Sequence, residues 1–458
     1  MVMDAVVERF IEQSPVTVMA RLALQRALDP AWLDALFEQE RQQQYKGELL
    51  FSTTVDLMSV VAVGQRPSLH AAAKACKSLT VSVQALYGKI NRTEPALVRA
   101  LVRGSAERLR PVMAPMQEGK SPLARHYRIK LVDGNHLAAS DKRIKPLRGF
   151  RGAALPGQSL VVYDPELEMV VDMVPCEDGH AQERSLTAPL LEQAQAGDLW
   201  IGDRNFSTRA LLVGWHERGC GFIVREHGAS PNPQACGAPV RKGRIATGAV
   251  VEQPVTIADE AGQLLAWRRI ELHLDSPTEH GDTVIRLLTN LPKSSFTARK
   301  VARLYRRRWD IESLFQRLES VLCSEVASLG QPRAALLAFG VAVLAYNVLA
   351  VLQAAVRATH DLPTAGVELS SYYFAAEIKA HYAGMMVAIA VAVWRAYEAL
   401  TAKQVGKLLM RIAARADPVA LRKHPRGPKP PKKKGYAPAP VVRRHVSTAR
   451  VMKEGGVN

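Results

Sequence analysis

The stretch from Arg128 to Arg225 constrains the fold most, because apolar strands and amphipathic helices follow one another there in a definite order. Residues 128–133 (RIKLVD) alternate apolar and polar side chains and stop at Asp133, followed by Gly134, which predicts a strand with a carboxylate at its end. Residues 160–163 and 169–174 are β-branched apolar runs separated by Asp164 and Pro165, a turn signal. Residues 185–195 carry helical spacing, with Glu183 and Arg184 just before them, and Glu183 reads as a cap for that helix. A fourth strand, 199–203 (LWIGD), ends in Asp203; a helix over 208–218 and a fifth strand at 221–225 (GFIVR) complete the series.

Three strands, a helix, a strand, a helix and a strand are the order of a ribonuclease H-like α/β core, in which the first and fourth strands are neighbours. Residues 226–296 turn irregular and β-rich, with strands expected at 250–257, 264–274 and 283–288, and read as an insertion into that core. Thr297 opens a long helical segment through Leu322, which completes the core with 323–357; further helix extends over 358–421. Residues 1–120 read as a helical DNA-binding region. Asp29 and Pro30 look like a cap and first-turn proline, and 67–92 look like two short helices around a turn at 78–80. The second would bear Ser82, Gln84, Tyr87, Lys89 and Arg92, polar groups suited to a DNA groove or to packing in a bundle. Residues 422–458, rich in proline and lysine, read as a disordered basic tail.

A formal charge of +18 and a pI near 9.8 create a field that attracts polyanions, of which nucleic acid is the commonest. Cys76, Cys176, Cys220, Cys236 and Cys323 are scattered and never spaced as a metal-binding pair, as expected of free thiols in a reducing compartment. The first residues lack the basic region and apolar core of a signal peptide, so a cytoplasmic, nucleoid-associated protein is expected. Residues 334–356 carry no charge and are long enough to span a bilayer, although an Ala-rich helix of this kind also suits the interior of a large domain.

Two carboxylates brought together on adjacent strands repel each other unless a cation neutralises them, and hard oxygen ligands favour Mg²⁺ or Mn²⁺. Two such ions can activate a water or hydroxyl and stabilise a leaving oxygen in phosphodiester chemistry. A third acid lies on the late helix, in YRRRWDIESLFQRLE, which runs from Tyr305 to Glu319. Tyr305, Arg308 and Glu312 are spaced by three and four and share a face, while Leu304, Ile311, Leu314, Phe315 and Leu318 form the apolar stripe. That face offers a carboxylate for metal, a planar guanidinium for phosphate and a phenol for a further phosphate contact; Arg306 and Arg307 add backbone contacts.

The blocks VDGNHL (132–137), IGDRNFS (201–207) and YRRRWDIESLF (305–315) together resemble bacterial insertion-sequence transposases of the DDE class, in the group with a Tyr-Arg-Glu-Lys signature. The resemblance covers 128–352. It implies that Asp133, Asp203 and Glu312 are a catalytic triad holding two Mg²⁺ or Mn²⁺ ions, with Tyr305 and Arg308 on DNA phosphates. It also implies double-stranded DNA partners (terminal inverted repeats and target), a homo-oligomer on paired ends, and no membrane. The chain departs from the signature at Glu319, where the family has lysine; Arg317 and Lys300 are the available substitutes. In some relatives an aromatic residue of the insertion stacks on a flipped base; Trp267, the only tryptophan there, suits that role or a place in the core. A metal-dependent nuclease without strand transfer and a catalytically inactive DNA-binding descendant are the alternatives. His136, Arg204 and Asn205 read as loop-shaping groups.

Overall fold

The computed structural model describes residues 4–228, 230–278, 281–362, 367–424 and 445–455. Seven helices come first: α1 (Ala5–Gln13), α2 (Pro15–Ala27), α3 (Pro30–Glu40), α4 (Phe51–Ala62), α5 (Leu69–Ala75), α6 (Val83–Ile90) and α7 (Pro95–Met113). The Asp29 carboxylate accepts from the Trp32 N–H at 2.7 Å, so the expected cap opens α3. Ser68 and Ser82 cap α5 and α6, the two short helices expected from the sequence. Lys89, however, does not face a DNA groove. Its Nζ is drawn inward to the carbonyls of Lys46 and Leu49, at 2.6 and 2.8 Å, and lies over the Phe37 ring. Burial pushes its ammonium down to about 8.

The strands follow as β1 (Arg128–His136), β2 (Ala154–Leu155), β3 (Gln158–Asp164) and β4 (Met169–Cys176). Next come α8 (Ala188–Glu192), β5 (Asp198–Gly202), α9 (Arg209–Glu217) and β6 (Gly221–Arg225). Residues 226–296 supply β7 (Gln234–Ala235), β8 (Val240–Ile245), β9 (Gly248–Ala258), β10 (Leu264–Leu274) and β11 (Val284–Thr289). They do not form a separate layer. The sheet runs β4-β3-β1-β5-β6-β11-β10-β9-β7, with β8 also on β9, so the inserted strands continue the central sheet through β11 against β6. Strands β4, β3 and β1 are antiparallel, and β1, β5 and β6 parallel.

Side-chain alternation splits the core in two. Ile129, Leu131, Leu199 and Ile201 face the main helical core, whereas Val132, Trp200 and Phe222 face α9 through Leu211, Leu212 and Trp215. Trp267 is 2% exposed and meets the Phe222 ring edge-on at 4.9 Å, which assigns it to the core. The remaining helices are α10 (Ala298–Tyr305), α11 (Trp309–Val321), α12 (Pro332–Thr359), α13 (Ser371–Ala388), α14 (Val391–Arg395) and α15 (Ala402–Ala413). Helix α12 is long and apolar enough to cross a membrane, but its apolar window is wholly buried, packed by α7, α2, α4 and α15. Asn347 within it bonds both the N–H and the C=O of Val170 in β4, each at 2.8 Å.

Of the tail expected to be disordered, 425–444 and 456–458 lie outside the described residues. The part between them is ordered. β12 (Val446–Ser447) pairs in parallel with β2, and α16 (Thr448–Glu454) follows. Ser447 and Arg450 both bond the Asp178 carboxylate, at 2.7 and 2.8 Å. Composition predicts disorder only where no specific partner exists, and here one does.

Candidate active site

Parallel pairing sets Val132 opposite Gly202, so the next residues, Asp133 and Asp203, stand side by side where that pairing ends; β1 does not stop at Asp133 as expected but runs on to His136, because β3 continues to pair with it. Asp133 accepts from the Gly134 N–H at 3.0 Å and from Arg308 Nη1 at 3.1 Å. Arg308 Nη2 lies 2.7 Å from Glu312 Oε1. One guanidinium therefore ties the strand carboxylate to the helix carboxylate.

The helix delivers these groups through a local break. Thr297 caps α10 by accepting from the Lys300 N–H, and α10 ends at Tyr305. A single 3-10 turn, Arg306–Arg308, then leads into α11. The continuous helix expected through Leu322 is thus two α-helices joined by a tighter turn.

Burial is the main force on the titrating groups. It pushes Asp133 up to about 7, helped by the Glu183 and Asp203 charges and opposed by Arg308 and the Gly134 N–H. Tyr305, 6% exposed, is pushed up to about 12 by burial, with Arg308 beside it lowering the value and Asp203 raising it. Burial also works against the charge on Arg308, but Tyr305, Asp133, Glu312 and Asp203 more than offset it, and its pKa is raised.

The sequence-expected residues thus fall into two groups. Asp133, Asp203, Tyr305, Arg308 and Glu312 gather at one end of the sheet. Arg306 is exposed, whereas Arg307 turns to Asp310 at 2.9 Å and lines a cavity of about 620 Å³ that Arg317 also lines. Neither Arg317 nor Lys300, the residues expected to stand in for the signature lysine, reaches the site. Arg317 Nη1 points to the Tyr346 hydroxyl at 3.5 Å, and Lys300 Nζ bonds the Ser295 carbonyl at 3.3 Å; Glu319 is exposed. Asn205 is a loop-shaping group of a definite kind, since its Nδ2 donates to Glu183 Oε2 at 2.9 Å. Glu183 caps no helix: neither its own 3-10 turn nor α8 has a side-chain cap. Trp309, 60% exposed beside Arg308, was not singled out from the sequence; only its place next to the arginines marked it.

Among the described residues, no three His, Cys, Asp or Glu side chains stand close enough in this conformation to hold one metal ion. The donor chemistry nevertheless fits a hard divalent cation, since the facing ligands are all carboxylates. The rise of Asp133 to about 7 is the penalty such a cation removes.

Comparison with known proteins gives one family match, over the segment that contains these residues. Residues 126–348 match the family model described as Transposase DDE domain, over a little under half of the chain. The match supports a transposase function, and such domains are generally metal-dependent and act on DNA. No curated protein matches the chain.

Proposed function

We propose that this chain is a DNA transposase of the insertion-sequence type that binds the ends of a mobile element and carries out metal-dependent strand cleavage and strand transfer. The observation that carries this reading is the placement of Asp133 and Asp203 side by side where the pairing of β1 with β5 ends, with Glu312 joined to Asp133 by Arg308, inside the matched segment. The antiparallel β4-β3-β1 unit that continues in parallel into β5 and β6 supports a ribonuclease H-like core, with 226–296 as its insertion.

In this reading Asp133, Asp203 and Glu312 hold Mg²⁺ or Mn²⁺, two ions being expected. A divalent cation there supplies Lewis acidity to the scissile phosphate and activates the attacking water or 3′-hydroxyl. Arg308 serves as the internal counter-ion of the carboxylates until the site is loaded, then turns its planar fork to a DNA phosphate. Tyr305, buried beside it, positions that guanidinium. Arg306 meets the backbone from the surface, while Arg307 is committed to Asp310. The protein works in the cytoplasm as a homo-oligomer on paired ends.

The test incubates purified protein and labelled DNA carrying the element ends with Mg²⁺, for the wild type and Glu312→Ala. Joined products that vanish in the variant support the reading; cleaved but unjoined products point instead to a nuclease. Glu319 in place of the family lysine favours one rival, an inactive descendant, which predicts end binding without any metal-dependent cutting.

A further inference from the structure

We propose that Glu183 is a fourth carboxylate of this site, reaching β1 next to Asp133 from the opposite face of the sheet and binding the divalent cation together with Asp133. The inference rests on the metal-dependent reading above.

Successive side chains of a strand point to opposite faces. Asp133 faces α11, where Arg308 meets it, so Gly134 faces the other side, where Glu183 lies. A Cβ on Gly134 would sit 2.1 Å from Glu183 Oε1 and 2.5 Å from its Cδ, so the carboxylate occupies space that only glycine leaves at this position of β1. The second oxygen is fixed as well, by Asn205 at 2.9 Å, two residues beyond Asp203. Glu183 is thus held by the loop that follows Asp203 and lies in the space beside Gly134, next to Asp133 along the chain.

What it lacks is a counter-ion. Among the described residues no lysine or arginine forms an ion pair with Glu183, and the adjacent Arg184 turns to Gln182 at 2.6 Å. Arg308 pairs with Asp133 and Glu312 on the α11 side, whereas among the described residues Glu183 has no such ion pair. Carboxylates that share a site raise each other's pKa, a cost that a bound cation removes.

The experiment titrates the full-length protein with Mn²⁺ alone by calorimetry, and separately follows cleavage of end DNA. Glu183→Gln keeps the shape and the Asn205 contact but removes the charge. Gly134→Ala keeps the charge but displaces the carboxylate, and cheaply, because the obstructing atoms end a flexible side chain. Both should weaken Mn²⁺ binding by about tenfold or more, on the scale of losses around metal sites. Cleavage should fall in parallel and partly recover at high Mn²⁺, while metal-free end binding is unchanged. Mn²⁺ affinity within about twofold of wild type in both variants, with Asp133→Asn losing it, overturns the role of Glu183 alone. Unchanged Mn²⁺ binding and cleavage in Asp133→Asn would instead overturn the underlying reading of the site.

Discussion

Replacing Asp133 by asparagine removes a carboxylate that the folded chain holds at a cost, and the structure gives the size of that cost. Burial raises its pKa from 3.8 to about 7, and with 17% of the side chain exposed there is little solvent to screen the effect. The unfolded chain releases this proton near pH 4 and the folded chain near pH 7, so raising the pH across that window favours unfolding. At about 1.4 kcal/mol per pH interval of one, the full penalty is about 4 kcal/mol above pH 8 and about 1.5 kcal/mol at pH 5. Asp133→Asn should therefore be more stable than the wild type in EDTA, by a margin that grows from pH 5 to pH 8. Urea unfolding of both proteins at the two pH values measures it. A margin independent of pH, or a variant less stable at pH 8, would refute the claim that ionised Asp133 is strained in the metal-free fold. The same variant should lose cleavage altogether, separating stability from function at one atom.

Other outcomes follow from packing. Asn347→Ala leaves the N–H and C=O of Val170 without partners inside the core and should cost about 2–4 kcal/mol, read from the urea midpoint. Gly406→Ala would ordinarily stabilise a helix by up to about 1 kcal/mol, but its Cβ would stand 2.2 Å from the Val112 carbonyl of α7. It should instead destabilise by about 1–3 kcal/mol, and a rise in melting temperature would show that α7 and α15 are not in close contact.

The strands bearing Asp133 and Asp203 were legible because alternation is a local property and the order of elements then fixes which strands are neighbours; that β1 runs on past Asp133 to His136 was not, because it depends on β3. The 305–312 spacing likewise exposed Arg308 beside Glu312, a contact made within one helical turn. What sequence did not reveal depends on partners distant along the chain. The bond from Arg308 to Asp133 spans 175 residues, and nothing in either segment distinguishes a guanidinium awaiting phosphate from one already bound to a carboxylate. Lys89 reads as a surface cation by type, yet buried carbonyls of the 46–49 loop draw it inward. Two-residue strands such as β2 and β12 are too short for any periodicity, so the docking of 445–455 left no pattern to read.

The continuity of the sheet has a mechanical side. From β1 through β5, β6 and β11 to β10, every junction is a ladder of backbone hydrogen bonds, and sliding one strand past the next would break several of them together. The inserted strands cannot swing on a hinge at residue 226. The distance from Asp133 to any side chain on β9 or β10 is therefore set by strand width rather than by loop length, as on a ruler.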